Sequence, residues 1–289
     1  MLDYMIYSVG NLVRQQASSP QWREEVRDMR NRIETYYNSL VQSGADMTSR
    51  VKLGLFLADT TRDLTAYDKA LEIYATTLKD WESLPEAERN SVEGRRIRSS
   101  IANGMGSCYL ATRKAADALP YYEKALEMDE ALFNELAPAN DEPLPADDNI
   151  SADLARAAED VLSSYRCLGE CQFSADDPEE ARDTYKRGQE LVVRMKNLKP
   201  GMSIQYIRLL TALGNLESSC GQIRQAYAAW MNAANVAQRL RQVAPSPAVQ
   251  AQTVRYLREL EGSIKSVGKQ LEEAQKAQQA AESDAPQQQ

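Results

Sequence analysis

Apolar residues recur every three to four positions along most of this chain, the period of an α-helix with one buried face. In PQWREEVRDMRNRIETYYNSLVQSG the stripe is Trp22, Val26, Met29, Ile33, Tyr36 and Leu40. Ser19 stands at the cap position, Pro20 opens the helix and Gly44 closes it. Together with residues 2–16 this predicts a leading helical hairpin over 1–44. Near the other end, PAVQAQTVRYLRELEGSIKSVGKQLEEAQKA predicts a long closing helix within 243–280, with Gly262 or Gly268 as a point where it could break. The final AESDAPQQQ, residues 281–289, reads as a disordered tail. Alternating runs of Val, Ile and Thr, which a sheet would need, are missing.

Between the flanks, over 45–242, one pattern returns four times. Small residues at Ala58, Gly106, Gly169 and Gly214 each follow an apolar residue, namely Leu57, Met105, Leu168 and Leu213. Offsets of 12, 16 and 19 from these anchors give Ala70, Tyr74 and Thr77, then Ala118, Tyr122 and Ala125. The same offsets give Ala181, Tyr185 and Gly188, then Ala226, Trp230 and Ala233. Small side chains let two antiparallel helices cross closely. An aromatic four residues after the second small one lies on the same face and fills the gap between the helices. In SADDPEEA, Asp177, Pro178 and Glu180 suit the start of a second helix.

This arrangement resembles the tetratricopeptide repeat family, whose pattern combines Leu-Gly, Ala, an aromatic and a further Ala at this spacing. CLGECQFSADDPEEARDTYKRG and GMGSCYLATRKAADALPYYEKA carry the resemblance best, and it covers about residues 50–242. The family's final Pro is absent, and the second small residues recur after 48, 63 and 45 positions, so the units resemble an extended variant with longer helices. The resemblance implies an all-α, right-handed α-α superhelix that binds an extended peptide or helix along the inward side of each unit's first helix. Carried onto this chain, that side is Lys52, Asp59, Arg62, Asp63, Asn103, Ser107, Arg166, Glu170, Phe173, Arg208, Asn215 and Ser218. Arg and Asn there could grip a carboxylate or a peptide backbone, and Phe173 could seat an apolar side chain. LDYMIYSVGNLV followed by IETYYNSL is also similar to the lead-in of tetratricopeptide regions in large bacterial signalling proteins such as serine/threonine kinases. That similarity implies a structural, oligomerising or sensory region instead.

Charge and composition narrow the function classes. The formal net charge is −8 and basic residues interleave with acidic ones, as in EEVRDMRNRIE, which argues against nucleic acid as the main ligand. No stretch reaches the ~18 apolar residues of a membrane span. The opening MLDYMIYSVGNLV carries Asp3 and lacks the basic start of a signal peptide. The chain reads as soluble, with the cytoplasm favoured over an extracytoplasmic part of a membrane-attached protein. It begins inside a helical pattern, as a piece cut from a longer protein would.

The sequence contains no histidine, which removes Ser-His-Asp and Cys-His catalysis and His-containing zinc sites. A non-catalytic protein without cofactor or metal is expected, with a protein or peptide partner and self-association left open. NGMGSC lacks the strand and lysine of a phosphate loop. The acidic loop APANDEPLPADDN, residues 137–149, brings Asp141, Glu142, Asp147 and Asp148 close in sequence but not at EF-hand spacing. It reads as an exposed contact surface. Helical phase places Cys108, Cys167, Cys171 and Cys220 on one face, away from core and groove. They read as buried reduced thiols between repeats, with redox sensing as the alternative.

Overall fold

A computed structural model describes residues 20–44, 46–137, 150–195, 198–243 and 246–283. Among them the fold is all-α, and within each of two compact units helices pack on neighbours in sequence order. The helices are α1 (Pro20–Ser43), α2 (Met47–Asp63), α3 (Tyr67–Glu82), α4 (Glu86–Arg89), α5 (Val92–Ala111) and α6 (Ala115–Leu136). They continue with α7 (Ala152–Ser174), α8 (Pro178–Val193), α9 (Pro200–Ser219), α10 (Ile223–Val243) and α11 (Pro247–Ser283). Two compact units divide the chain, the first holding α1 to α7 and the second α8 to α11 with Ile150.

Local chemistry explains where the first helix of a pair begins. The Asp46 carboxylate accepts from the Ser49 amide at 3.0 Å, the Ser91 hydroxyl from Gly94 at 3.0 Å, and the Ser151 hydroxyl from Leu154 at 3.1 Å. Each satisfies an amide that has no intrahelical partner. α9 starts instead on Pro200 after extended Lys199, since proline has no amide to leave unsatisfied.

Four helices, α2, α5, α7 and α9, end in a turn of one design. The turns span Leu64–Ala66, Thr112–Lys114, 175–177 and 220–222. The middle residue is left-handed every time: Thr65 (φ 63°), Arg113 (62°), Asp176 (67°) and Gly221 (74°). The next amide reaches back five residues: Ala66 to Thr61 (3.2 Å), Lys114 to Tyr109 (3.0 Å), Asp177 to Gln172 (3.0 Å) and Gln222 to Glu217 (2.8 Å). These bonds satisfy carbonyls left over at the helix end. Relative to the four anchors the left-handed residue sits at one constant offset of seven, yet its identity is Thr, Arg, Asp or Gly.

In the first unit, α2 and α3 run antiparallel, joined by Arg50–Asp80 at 2.9 Å and Tyr74–Asp59 at 2.5 Å. α5 and α6 do the same through Arg95–Glu135 at 2.6 Å and Tyr122–Ser107 at 3.1 Å. α7 lies antiparallel on α6, where the Ser164 hydroxyl meets Asp129 at 2.6 Å and the Cys171 thiol meets the Ala115 carbonyl at 3.4 Å. The first helices align in parallel: Lys52 of α2 pairs with Glu93 of α5 at 2.8 Å, and Arg96 of α5 with Asp160 of α7 at 2.5 Å. Between α4 and α5, Gly94 leaves room for the Arg89 carbonyl, 2.8 Å from where a Cβ would stand. The Trp81 indole donates to the Gly94 carbonyl at 2.8 Å.

The second unit repeats the crossing between α9 and α10. Ile207 and Leu210 pack with Ala226, Trp230, Ala233, Ala237 and Leu240, and α11 adds Leu260 and Val267 to the same cluster. Arg182 of α8 forks onto the buried Glu217 of α9 at 2.8 and 3.0 Å, a bidentate ion pair that fixes the angle between the two helices.

Several expectations need correction. α11 is unbroken from Pro247 to Ser283 and runs past residue 280. Gly262 faces open space, and Gly268 sits 3.6 Å from the Tyr227 ring at the position of a missing Cβ. Helical hydrogen bonding tolerates such glycines at a cost of about 1 kcal/mol each. On α1, Tyr37 is the buried tyrosine and Tyr36 is 50% exposed. The Tyr37 hydroxyl donates to Asp80 at 3.3 Å, so the stripe is rotated by one residue at that turn. Trp22, Val26, Met29 and Leu40 lie outside the described side chains, as do residues 1–19, 138–149 and 284–289 altogether. The leading helical segment, the acidic loop and most of the tail fall in those ranges.

Candidate functional site

All four repeat aromatics are buried, and Tyr74, Tyr122 and Trp230 donate their polar ends to the residue just after the anchor. The Tyr74 hydroxyl donates to Asp59 at 2.5 Å, the Tyr122 hydroxyl to Ser107 at 3.1 Å, and the Trp230 indole to Asn215 at 3.2 Å. All three bonds span 15 residues. Burial raises the Tyr74 and Tyr122 hydroxyls well above the ordinary tyrosine range, so both stay neutral donors. Two of the four small anchors are explained by the same rings. A Cβ at Gly106 would meet the Tyr122 ring at 3.1 Å, and one at Gly214 would strike the Trp230 indole. Ala58, Ala70, Ala118, Ala125, Gly169, Ala181, Tyr185, Gly188, Ala226 and Ala233 are buried as well.

Most residues assigned from sequence to a peptide groove thus have internal duties. Lys52 is taken by Glu93, and the Asn103 amide donates to the Ser164 hydroxyl at 2.9 Å. The Arg208 guanidinium donates to the Tyr256 hydroxyl at 2.6 Å, tying α9 to α11. These three are rungs between successive first helices. Arg62 bridges Asp59 at 3.0 Å, Asp63 at 2.9 Å and the Tyr74 hydroxyl at 3.0 Å. Burial alone would weaken its charge, and the surrounding Asp59, Tyr74 and Asp63 outweigh that. Arg166 pairs with Glu170 at 2.7 Å and lies 3.1 Å from the Cys167 sulfur. Ser107 accepts from Tyr122 and donates to the Asn103 carbonyl at 2.8 Å. Phe173 differs: it is an aromatic left 37% exposed on α7, three residues after Glu170.

Sequence reasoning missed a buried polar junction in the first unit. Asp129 of α6 is 2% exposed and accepts from Ser164 of α7, which in turn accepts from Asn103 of α5. Ser99 of α5 donates to the Ala125 carbonyl beside it at 3.4 Å. Burial pushes the Asp129 carboxyl up to about 7, the Asp160 carboxylate adds to this, and Ser164, Ser99 and Arg96 oppose it. One sequence signal pointed there. Asp129 occupies the apolar stripe of α6, in line with Tyr122, Ala125, Leu126 and Phe133.

Cys108, Cys167 and Cys171 are buried free thiols, while Cys220 caps the end of α9 and is only half-buried. The expectation of four buried thiols therefore fails at Cys220, whose turn lies beyond the packed helix. Burial pushes the Cys108 and Cys171 thiols up to about 11 and raises Cys167 too, disfavouring thiolate chemistry. Among the described residues no group of His, Cys, Asp or Glu side chains could hold a metal ion, and no helix is long and apolar enough to cross a membrane.

No family model and no curated protein matches the chain. Its fold is similar to the crystal structure of BtubC (BKLC) from P. vanneervenii, with a TM-score of 0.52 and 21% identity over 83% of this chain and 85% of that one. At that identity the likeness concerns the fold alone: consecutive packed helices without a sheet.

Proposed function

We propose that this chain is a non-catalytic interaction module of the tetratricopeptide kind, holding a peptide or protein segment against the first helices of its pairs. The observation that carries the reading is Phe173, an exposed aromatic on a first helix that also carries the Arg166–Glu170 pair within two turns of it. An aromatic anchor rimmed by charge is the usual energetic centre of a protein contact. The parallel alignment of α2, α5 and α7 supports it, because parallel first helices present one side to a single extended ligand.

A peptide library displayed on phage and panned against the immobilised full chain tests this. Enrichment of one sequence class, with binding lowered tenfold or more by Phe173→Glu in a variant that keeps its circular dichroism, is the expected result. No enrichment, or peptides indifferent to Phe173→Glu, would sink the reading.

A second reading has its own observation. Lys52, Asp59, Arg62, Asn103, Ser107, Arg166, Arg208 and Asn215 are engaged within the chain, which suits a structural or oligomerising region that spaces other parts. Sedimentation equilibrium separates the two, since an oligomeriser associates without a ligand.

A further inference from the structure

We propose that Asp129 and Ser164 form a proton-operated switch that sets which atom of the Asn103 amide faces away from Ser164. A hydroxyl carries one proton, and Ser164 commits its proton to Asp129 Oδ2 at 2.6 Å. Ser164 can then only accept from Asn103, which fixes the amide with Nδ2 toward the serine at 2.9 Å. Asn103 Oδ1 is left on the other side, buried and, among the described residues, without a hydrogen-bond partner. A buried acceptor with no donor costs about 1–3 kcal/mol, so the arrangement persists because the carboxylate imposes it.

Protonation reverses the chain. A neutral Asp129 carboxyl donates its new proton to the Ser164 oxygen, Ser164 turns its own proton toward Asn103, and the amide rotates to offer Oδ1. Nδ2 then occupies the place Oδ1 held, so the orphan acceptor becomes a donor. Burial favours the neutral carboxyl at accessible pH, the Asp160 carboxylate adds to this, and Arg96 opposes it. From α7, Asp160 faces Asp129 with like charge, while Arg156 acts on Asp160 and Glu159 on Arg96. From α5, Arg96 is drawn to Asp160 at 2.5 Å and Arg95 to Glu135 at 2.6 Å. On α6 itself, Glu130 is engaged by the Tyr165 hydroxyl. Among the described residues no cation is hydrogen-bonded to Asp129, and Arg96 acts on it only through space.

The switch needs no ligand; its use in controlling one rests on the interaction reading above, since Asn103 belongs to that candidate face. Heteronuclear NMR of the labelled full chain tests it, following the Asp129 carboxyl carbon and the Asn103 side-chain NH₂ signals from pH 5 to 9. The Asp129 carbon is expected to titrate with a midpoint of about 7, with the Asn103 signals shifting at the same midpoint. In Ser164→Ala the Asn103 signals should no longer follow Asp129. Asn103 signals that stay flat through the Asp129 titration, or that follow it equally in Ser164→Ala, overturn the proposal. An Asp129 carboxyl that titrates in the ordinary carboxylate range overturns it too. The wild-type titration decides even if Ser164→Ala does not fold. Failure to capture a peptide leaves these signals untouched, so the two readings fail separately.

Discussion

Thr65 holds a left-handed conformation, φ 63°, at the turn between α2 and α3, exposed and β-branched. That conformation costs an ordinary L-residue about 1–2 kcal/mol, and the equivalent turn between α9 and α10 uses Gly221. Thr65→Gly is expected to raise stability by about 1 kcal/mol in urea unfolding; unchanged or lower stability would mean the turn is not strained. Glycines elsewhere separate by what surrounds them. Gly214→Ala pushes a methyl into the Trp230 indole and should lower stability by about 1–3 kcal/mol. Gly262→Ala meets nothing within 4 Å on an exposed helical face and should raise stability by about 0.5–1 kcal/mol. Equal effects from the two would contradict the packing described.

At the scale of elements, helices are held by two devices. Apolar seams such as Ile207, Leu210, Trp230 and Ala233 supply burial, and Trp230 alone is worth about 3–5 kcal/mol against Ala. Polar junctions set register, and the one joining α5, α6 and α7 has a pH signature. The folded Asp129 carboxyl is raised from 3.8 to about 7. An acid whose folded value lies above its unfolded value stabilises through its bound proton. That contribution is complete below about pH 4 and is lost as pH rises to about 7. Urea midpoints measured from pH 5 to 8 should therefore carry a downward component as pH increases, and Asp129→Asn should remove it. A variant with the wild-type slope would show that Asp129 titrates elsewhere.

Across the whole molecule, accessibility of the four thiols reports on both compact units. Cys108, Cys167 and Cys171 belong to the first and are buried, while Cys220 belongs to the second and is half-buried. A thiol reagent under native conditions is expected to modify Cys220 first and to reach the other three only on unfolding. Mass spectrometry of digested protein assigns the modified sites. Rapid labelling of Cys108 or Cys171 would indicate local opening of the first unit.

The sequence by itself determined the helical class and picked out the small and aromatic residues that are buried along these helices. These follow from periods of three to four residues and from side-chain size, both readable within a short window. It also carried a trace of the junction, in the single acid on the apolar stripe of α6. Tertiary structure alone decided what the polar residues of the first helices do. Asn103 and Ser164 are 61 positions apart, Asp129 and Ser164 are 35, and Arg208 and Tyr256 are 48. Candidate ligand contacts and internal rungs have the same residue types at the same helical phase, so no local pattern separates them. The left-handed turns are the reverse case: their geometry is constant while Thr, Arg, Asp and Gly fill it. There the helix ends and the packing around them dictate the backbone conformation, and the side chain accepts the strain.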